Sequence, residues 1–314
     1  MLHEAFHIPF DQGRDRTGTG EVRGDSPLQI AARAETDAGD QVHARAARHH
    51  EPGQGTTRIV RRQASKSSRR GAFLCQGILT DQPCHVRGEI MIDIVGATRL
   101  SATQFRSKSA LGISLQRLAH DGRFKQDVAF ENRTGLPEIY NRNIRSDSEN
   151  DIVVFIHDDV WIDDSFLVDR VIEGLAQYDV IGIAGNLRRV PRQPTWLFVD
   201  KRWTWDEMRN LSGRIGHGSH PFGTLDIFGP VPASCELLDG VFMAARKSTL
   251  IGKEVFFDPR FDFHLYDVDF CRTAREKGLR LGTWAISLTH QSVGQYGSQR
   301  WIENYRKYLD KWTD

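Results

Sequence analysis

The chain has 314 residues, 39% hydrophobic and 26% charged, ordinary proportions for a soluble protein of one large or two small domains. A net charge of +1 gives the chain as a whole no electrostatic pull towards nucleic acid or a membrane surface, so no nucleic-acid partner is expected. No run approaches the ~18–20 apolar residues that span a bilayer, and the N-terminal MLHEAFHIPFDQGRD lacks a signal-peptide core, which predicts no transmembrane segment and a cytoplasmic location.

Residues 1–89 differ from the rest. They hold no Trp, no Tyr and only three Phe (Phe6, Phe10, Phe73), with twelve Arg against one Lys. Ordering a chain costs roughly 1–2 kcal/mol per residue, and there is little here to bury, so a disordered Arg-rich leader is expected. Within it, Arg58–Arg70 (RIVRRQASKSSRR) carries six positive charges and no negative one. A patch for polyanions is one reading; a solvated basic stretch is preferred, because no aromatic side chain is interleaved for stacking. A further alternative is a misassigned start, with the true one near Met91, since GC-rich upstream DNA would translate into such a leader. Cys75, Cys84, Cys235 and Cys271 form no CxxC pair and read as reduced thiols.

From residue 90 to 314 the pattern changes to alternating strands and helices. Met91–Gly96 (MIDIVG) is a short apolar run ending in Gly, a first strand. Asp151–Ile156 (DIVVFI) is β-branched and aromatic with acids directly after it, as a buried parallel strand ends at a functional edge. Asp163-Asp164-Ser165 reads as the cap of a helix with Phe166, Val168, Val171, Ile172 and Leu175 at helical spacing. Val180–Ala184 (VIGIA) is the next strand. Strand, helix, strand is a βαβ unit, which implies a mostly parallel sheet flanked by helices, with ligands beyond the carboxyl ends of its strands. Gly185 to Cys235 reads as irregular, rich in Trp, Arg and Gly, with Trp203 and Trp205 either offering ring faces for stacking or packing a peripheral subdomain. Asp267 and Asp269 open another helix, closed by Gly278, with Asp269 read as a dipole partner. A strand over Arg280–Ile286 follows. WIENYRKYLDKW (Trp301–Trp312) is an amphipathic helix expected to dock on the domain and not on a membrane.

Two adjacent carboxylates at a strand end repel each other unless a cation lies between them. Mg²⁺ and Mn²⁺ commonly bind through one or two carboxylates plus phosphate oxygens, so Asp158 and Asp159 read as a metal-and-diphosphate site. Asp267 and His290, at the ends of other strands, are the further parts of such a site.

These segments carry a resemblance. GLPEIYNRNI (Gly135–Ile144), DIVVFIHDDVWI (Asp151–Ile162), ELLDGVFMAARKSTL (Glu236–Leu250), FDFHLYDVDFC (Phe261–Cys271) and THQSVG (Thr289–Gly294) are similar in order and spacing to family 2 glycosyltransferases. Within that family the resemblance is to the subgroup typified by a glycosyltransferase-like protein of streptomycin biosynthesis. It implies a GT-A-type α/β fold with a Rossmann-like sheet, Mn²⁺ or Mg²⁺ as cofactor, a nucleotide sugar as donor and a glycan or other hydroxyl as acceptor, as in polysaccharide biosynthesis. By the same resemblance Asp159 is the direct metal ligand of the DxD motif and Asp158 its middle residue, nearer the ribose. His157 stands where the first Asp would be. Asn141 matches the Asn of a donor-site Arg-Asn pair whose Arg is replaced by Tyr140. Asp239 and Gly240 match the loop lining the sugar pocket. Asp267 matches the catalytic base of a Glu-Asp pair whose Glu is replaced by Tyr266, and His290 matches a histidine completing the metal site.

Such a site would transfer a glycosyl unit with inversion, since one base and no second nucleophile is implied. Two rival expectations stand beside it. An inactive nucleotide-sugar-binding protein is suggested by Tyr140, His157 and Tyr266 in place of the family residues. A nucleotidyltransferase is opposed by GATRLSATQF (Gly96–Phe105), which lacks a Gly-rich basic phosphate loop after the first strand.

Overall fold

A computed structural model describes residues 90–292, 294 and 296–313. The expected leader over residues 1–89, with its basic stretch, Cys75 and Cys84, lies outside the described residues.

The expected architecture of an α/β chain with helices packed on a largely parallel sheet is present. Its strands are β1 (Ile92–Ala97), β2 (Phe124–Ala129), β3 (Ile152–Ile156), β4 (Val160–Ile162), β5 (Val180–Gly182), β6 (Ala184–Asn186), β7 (Leu211–His217), β8 (Thr224–Gly229), β9 (Ala233–Cys235), β10 (Leu237–Leu238), β11 (Phe242–Arg246), β12 (Leu281–Thr283) and β13 (Leu288–His290). Its helices are α1 (Ala102–Lys108), α2 (Ala110–Arg117), α3 (Leu136–Ile144), α4 (Leu167–Gln177), α5 (Lys247–Gly252), α6 (Tyr266–Glu276) and α7 (Gln299–Lys311). A seven-stranded sheet runs in the order β2-β1-β3-β11-β5-β12-β9. In it β2, β1, β3, β5 and β12 share one direction, and β11 and β9 oppose it. Helix α3 lies against β1 and β3, α4 against β5 and β11, and α6 against β12. The apolar run of β3 is buried along its whole length, and Tyr140 from α3 meets Phe155 and Phe257 at ring distances of 4.7 and 5.1 Å. Each such ring, fully buried, stabilises by roughly 1.5–3 kcal/mol.

A second sheet, which the sequence pattern did not predict, takes the strands that leave the first one. It runs β10-β6-β7-β13-β4, with β8 added on β7. Four times among the described residues the chain passes straight from the first sheet into the second, at β3–β4, β5–β6, β9–β10 and β12–β13. This splits two expected strands. VIGIA breaks at Ile183, and Arg280–Ile286 is strand only over Leu281–Thr283. The stretch expected to be irregular holds the β7–β8 hairpin. Its alternation is hidden by a bulge at Gly213, whose φ of +120° and close approach to the Ile183 carbonyl admit no side chain.

The expected cap of α4 is corrected. Phe166 is the N-cap residue, 63% exposed and outside the core. Asp164 accepts the Phe166 N–H (2.8 Å), whereas Asp163 accepts from the Thr289 hydroxyl (2.6 Å) and the Phe222 N–H (3.1 Å), tying β4 to β13 and the β7–β8 turn. Helix α7 docks on the domain as expected, with Trp301 and Tyr308 buried.

Candidate functional site

Pairing registers bring the marked residues together. In the antiparallel β11–β3 ladder Phe242 faces Ile156, which sets Asp239–Gly240 beside the exit of β3, where the His157 N–H donates to the Val241 carbonyl (3.2 Å). In the β13–β4 ladder His290 faces Val160, and the Gln291 N–H donates to the Asp159 carbonyl (2.9 Å). His157-Asp158-Asp159 fills one crossing between the sheets, and Asp239-Gly240-Val241 fills a crossing back.

Three side chains converge there. Ligand atoms of His157, Asp159 and His290 all lie within 4.8 Å of one another. His290 Nε2 stands 3.3 Å from Asp159 Oδ1, and the Ser292 hydroxyl donates to Asp159 Oδ2 at 2.6 Å. Burial alone would raise the Asp159 carboxyl, but His290, His157 and Ser292 outweigh it and hold the group well below the usual carboxylate range. Burial would also lower His290, and the Asp159 carboxylate overcomes it and raises the imidazole. His157 is lowered by burial. Its ring stacks on the partly exposed Phe263, with centroids 5.9 Å apart. An ionised carboxylate with two imidazoles is a donor set that first-row divalent ions accept, so the residues present fit a cation.

Beside this cluster stands a pair of acids. Asp267 Oδ2 accepts the Gly240 N–H (3.1 Å). Burial first, and then the Asp239 charge, raise the Asp267 carboxyl to about 7. Asp239 itself is spoken for: Oδ1 accepts the Val241 N–H and Oδ2 the Trp196 indole N–H, both at 2.9 Å. Trp196 was missed as a site residue, since nothing in local spacing links it to a residue in another loop. Between the two groups Tyr266 donates its hydroxyl to the Gly240 carbonyl (2.8 Å) and meets His157 Nε2 at 2.8 Å. A Cβ on Gly240 would lie 2.5 Å from the Tyr266 oxygen and 2.8 Å from Asp267 Cβ, so only Gly fits. Leu265, just before α6, adopts a left-handed φ of +66°, at a cost of roughly 1–2 kcal/mol, at the turn that leads into Tyr266 and Asp267.

Not every marked residue joins the cluster. The Asn141 amide is committed elsewhere, donating to the Phe257 carbonyl (2.7 Å) and accepting the Phe257 N–H (2.9 Å). Both ends of that amide close on the main chain of one residue, Phe257, in place of the expected donor contact. Tyr140, in place of the expected Arg, is a fully buried core ring. Asp158 lies beside Thr98 at the end of β1, its carbonyl accepting the Leu111 N–H (3.1 Å), and burial raises its carboxyl. Asp269 lies in the first turn of α6, as a dipole partner would, and is besides a buried anchor, with its carboxylate 2.7 Å from Lys311 Nζ and 2.8 Å from Trp312 Nε1.

No known sequence family and no curated protein matches the chain. Solved structures resemble it distantly. TarS 1–349 of S. aureus matches at 11% identity and TM-score 0.36, over 64% of this chain and 60% of that one. GalNAc-T7, solved with UDP, GalNAc and Mn²⁺, matches at 10% identity and TM-score 0.42, over 73% and 49%. The mannosyltransferase PcManGT from Pyrobaculum calidifontis, in complex with GDP-Man and Mn²⁺, matches at 13% identity and TM-score 0.36, over 70% and 64%. The chain thus spans less than two thirds of each of these structures. No helix among the described residues is long and apolar enough to cross a membrane.

Proposed function

We propose that the chain transfers a sugar from a nucleoside-diphosphate sugar to an acceptor hydroxyl, with inversion and with a divalent cation. The observation that carries this reading is one juncture between two sheets where an ionised Asp159 with His157 and His290 stands next to a carboxyl, Asp267, raised to about 7. Asp159, His290 and Asp267 belong to segments that resemble family 2 glycosyltransferases, in which the matching positions divide the labour in this way, and His157 stands where that family has Asp.

Asp159 and His290 would hold the cation, Mn²⁺ or Mg²⁺, with Asp158 towards the nucleotide. Such a cation, when bound, supplies positive charge to a leaving diphosphate. Asp267 accepts the proton of the attacking hydroxyl. A base is most effective when its pKa lies near the working pH, and burial puts Asp267 there; the effect is typically 10²–10⁴-fold. One base and no second nucleophile, as the resemblance implies, would give inversion. Each oxygen of Asp239 accepts one hydrogen bond, from the Trp196 indole or the Val241 N–H, which supports a structural part for it rather than that of a covalent nucleophile. Asp239 and Gly240 shape the pocket wall, and the acceptor is a glycan or another hydroxyl compound.

The test is release of nucleoside diphosphate and transfer of sugar from a panel of UDP- and GDP-sugars, with Mn²⁺, with Mg²⁺ and without either. Asp159→Ala should abolish metal-dependent nucleotide binding and leave the fold intact. Nucleotide-sugar binding with neither hydrolysis nor transfer would mark the chain as an inactive binding protein; nucleotidyl transfer would sink the reading altogether.

A further inference from the structure

The two positions at which the chain departs from the family's acidic motifs, His157 and Tyr266, touch each other. We infer that Tyr266 is a positioning residue that fixes the tautomer of His157 and so makes His157 a third protein ligand, with Asp159 and His290, in a site of two imidazoles and one carboxylate. The inference rests on the metal-dependent reading above and deepens it.

A phenol has one hydrogen to give. Tyr266 is buried, and its hydroxyl donates to the Gly240 carbonyl at 2.8 Å. Its 2.8 Å contact with His157 Nε2 must then be an accepted hydrogen bond, with the hydrogen on Nε2. A neutral ring protonated at Nε2 has its lone pair at Nδ1. Histidines that ligate metals almost always donate their other ring N–H in this way, and the partner fixes both tautomer and ring orientation. Tyr266 is itself held: its ring packs against Tyr140 and Phe257 at 6.0 and 5.9 Å, and its hydroxyl is tied to the Gly240 carbonyl. Phe263 stacks on the His157 ring. A Glu at position 266 would instead crowd a third carboxylate against Asp267 and Asp239. Tyr at 266 supplies an acceptor for the histidine without adding that charge, so the two replacements act as one device.

The device selects an ion. Imidazole nitrogen suits the later first-row ions best; Mn²⁺, the weakest binder of that series, still accepts it more readily than the harder Mg²⁺, which takes oxygen ligands and keeps its waters. The site therefore takes Mn²⁺ in preference to Mg²⁺.

The experiment uses the full-length protein, Mn²⁺ alone and Mn²⁺ with UDP or GDP. Binding is followed by the EPR signal of free Mn²⁺, and nitrogen ligands of the bound ion are counted by pulsed EPR. Two imidazole couplings are expected in the wild type, one in His157→Ala and one in His290→Ala. Tyr266→Phe, which keeps the ring and deletes the hydroxyl, should bind Mn²⁺ about 10–100-fold more weakly. Should that variant fold poorly, the nitrogen count in the wild type and His157→Ala decides alone. A single coupling in the wild type, lost only in His290→Ala, overturns the inference and leaves a cation on Asp159 and His290. Absence of bound Mn²⁺ under every condition removes both the inference and the metal-dependent reading beneath it.

Discussion

At Asp267 the pKa of about 7 has two measurable consequences. The first is kinetic. With Asp267 as base, kcat/KM should rise through pH 7 and level off above it. Asp267→Asn should lose that limb along with two or more orders of magnitude in rate, at nearly unchanged donor affinity. The second is thermodynamic. Because the folded pKa lies above the unfolded one, the stabilisation from a protonated Asp267 is full below about pH 3.8 and is lost as pH rises through about 7. Melting temperatures without metal should therefore favour Asp267→Asn over wild type more at pH 8 than at pH 5. Two residues on, Asp269 faces away from this chemistry, its side chain fully buried against Lys311 and Trp312. Asp269→Asn should cost about 1–3 kcal/mol of stability, read from denaturant unfolding, with turnover per folded molecule retained. A dipole partner alone would have cost less. That Asp159 and His290 lie together, with Asp267 beside the neighbouring loop, was foreshadowed by their places at strand ends and a helix start. Trp196 and Ser292 were not, because each meets its aspartate across a long separation that no periodicity encodes. Asn141 shows the opposite failure: a motif position was legible, but its amide is consumed by Phe257.

At the scale of elements, the strands that build the site were read correctly where one sheet buried them completely. Met91–Gly96 and Asp151–Ile156 emerge within a residue or so of their expected bounds. Where a strand abandons one sheet for the other, hydrophobic pattern alone could not tell: VIGIA is continuous as sequence and divided as structure. The loop from β10 to β11 illustrates what local reading missed. Gly240 looked like a pocket lining, yet its hydrogen atom is what admits the Tyr266 hydroxyl. Gly240→Ala should push that ring aside, lowering the melting temperature and weakening Mn²⁺ binding together. A variant that lost only stability, with Mn²⁺ affinity unchanged, would separate the loop from the cation site.

For the whole molecule, the core between β1 and α7 closes on itself among the described residues, and the aromatic side chains of the sequence are concentrated there. A chain beginning at Ile90 should melt at an essentially unchanged temperature and keep its activity; a substantial fall in either would show that residues 1–89 contribute to the domain. A ligand at one hundred times its dissociation constant stabilises the state that binds it by about 2.7 kcal/mol. Mn²⁺ with the correct nucleotide should raise the melting temperature accordingly, and Asp159→Ala should abolish the rise. The buried thiols Cys235 and Cys271 are pushed upward by burial, the first to about 12, so neither should alkylate until the domain unfolds.

The crossing of the chain between its sheets also has a mechanical side. His157 extends the first sheet beyond β3, Asp159 leads into β4, and His290 ends β13, so an ion gripped by all three acts as a rivet through both layers. Sliding of one sheet over the other would then tear ligands from the ion, and occupancy and shear stiffness rise together. Amide hydrogen exchange over Val160–Ile162 and Leu288–His290 should slow on adding Mn²⁺, while exchange in α5, beside the end of β3 opposite His157, stays as it was.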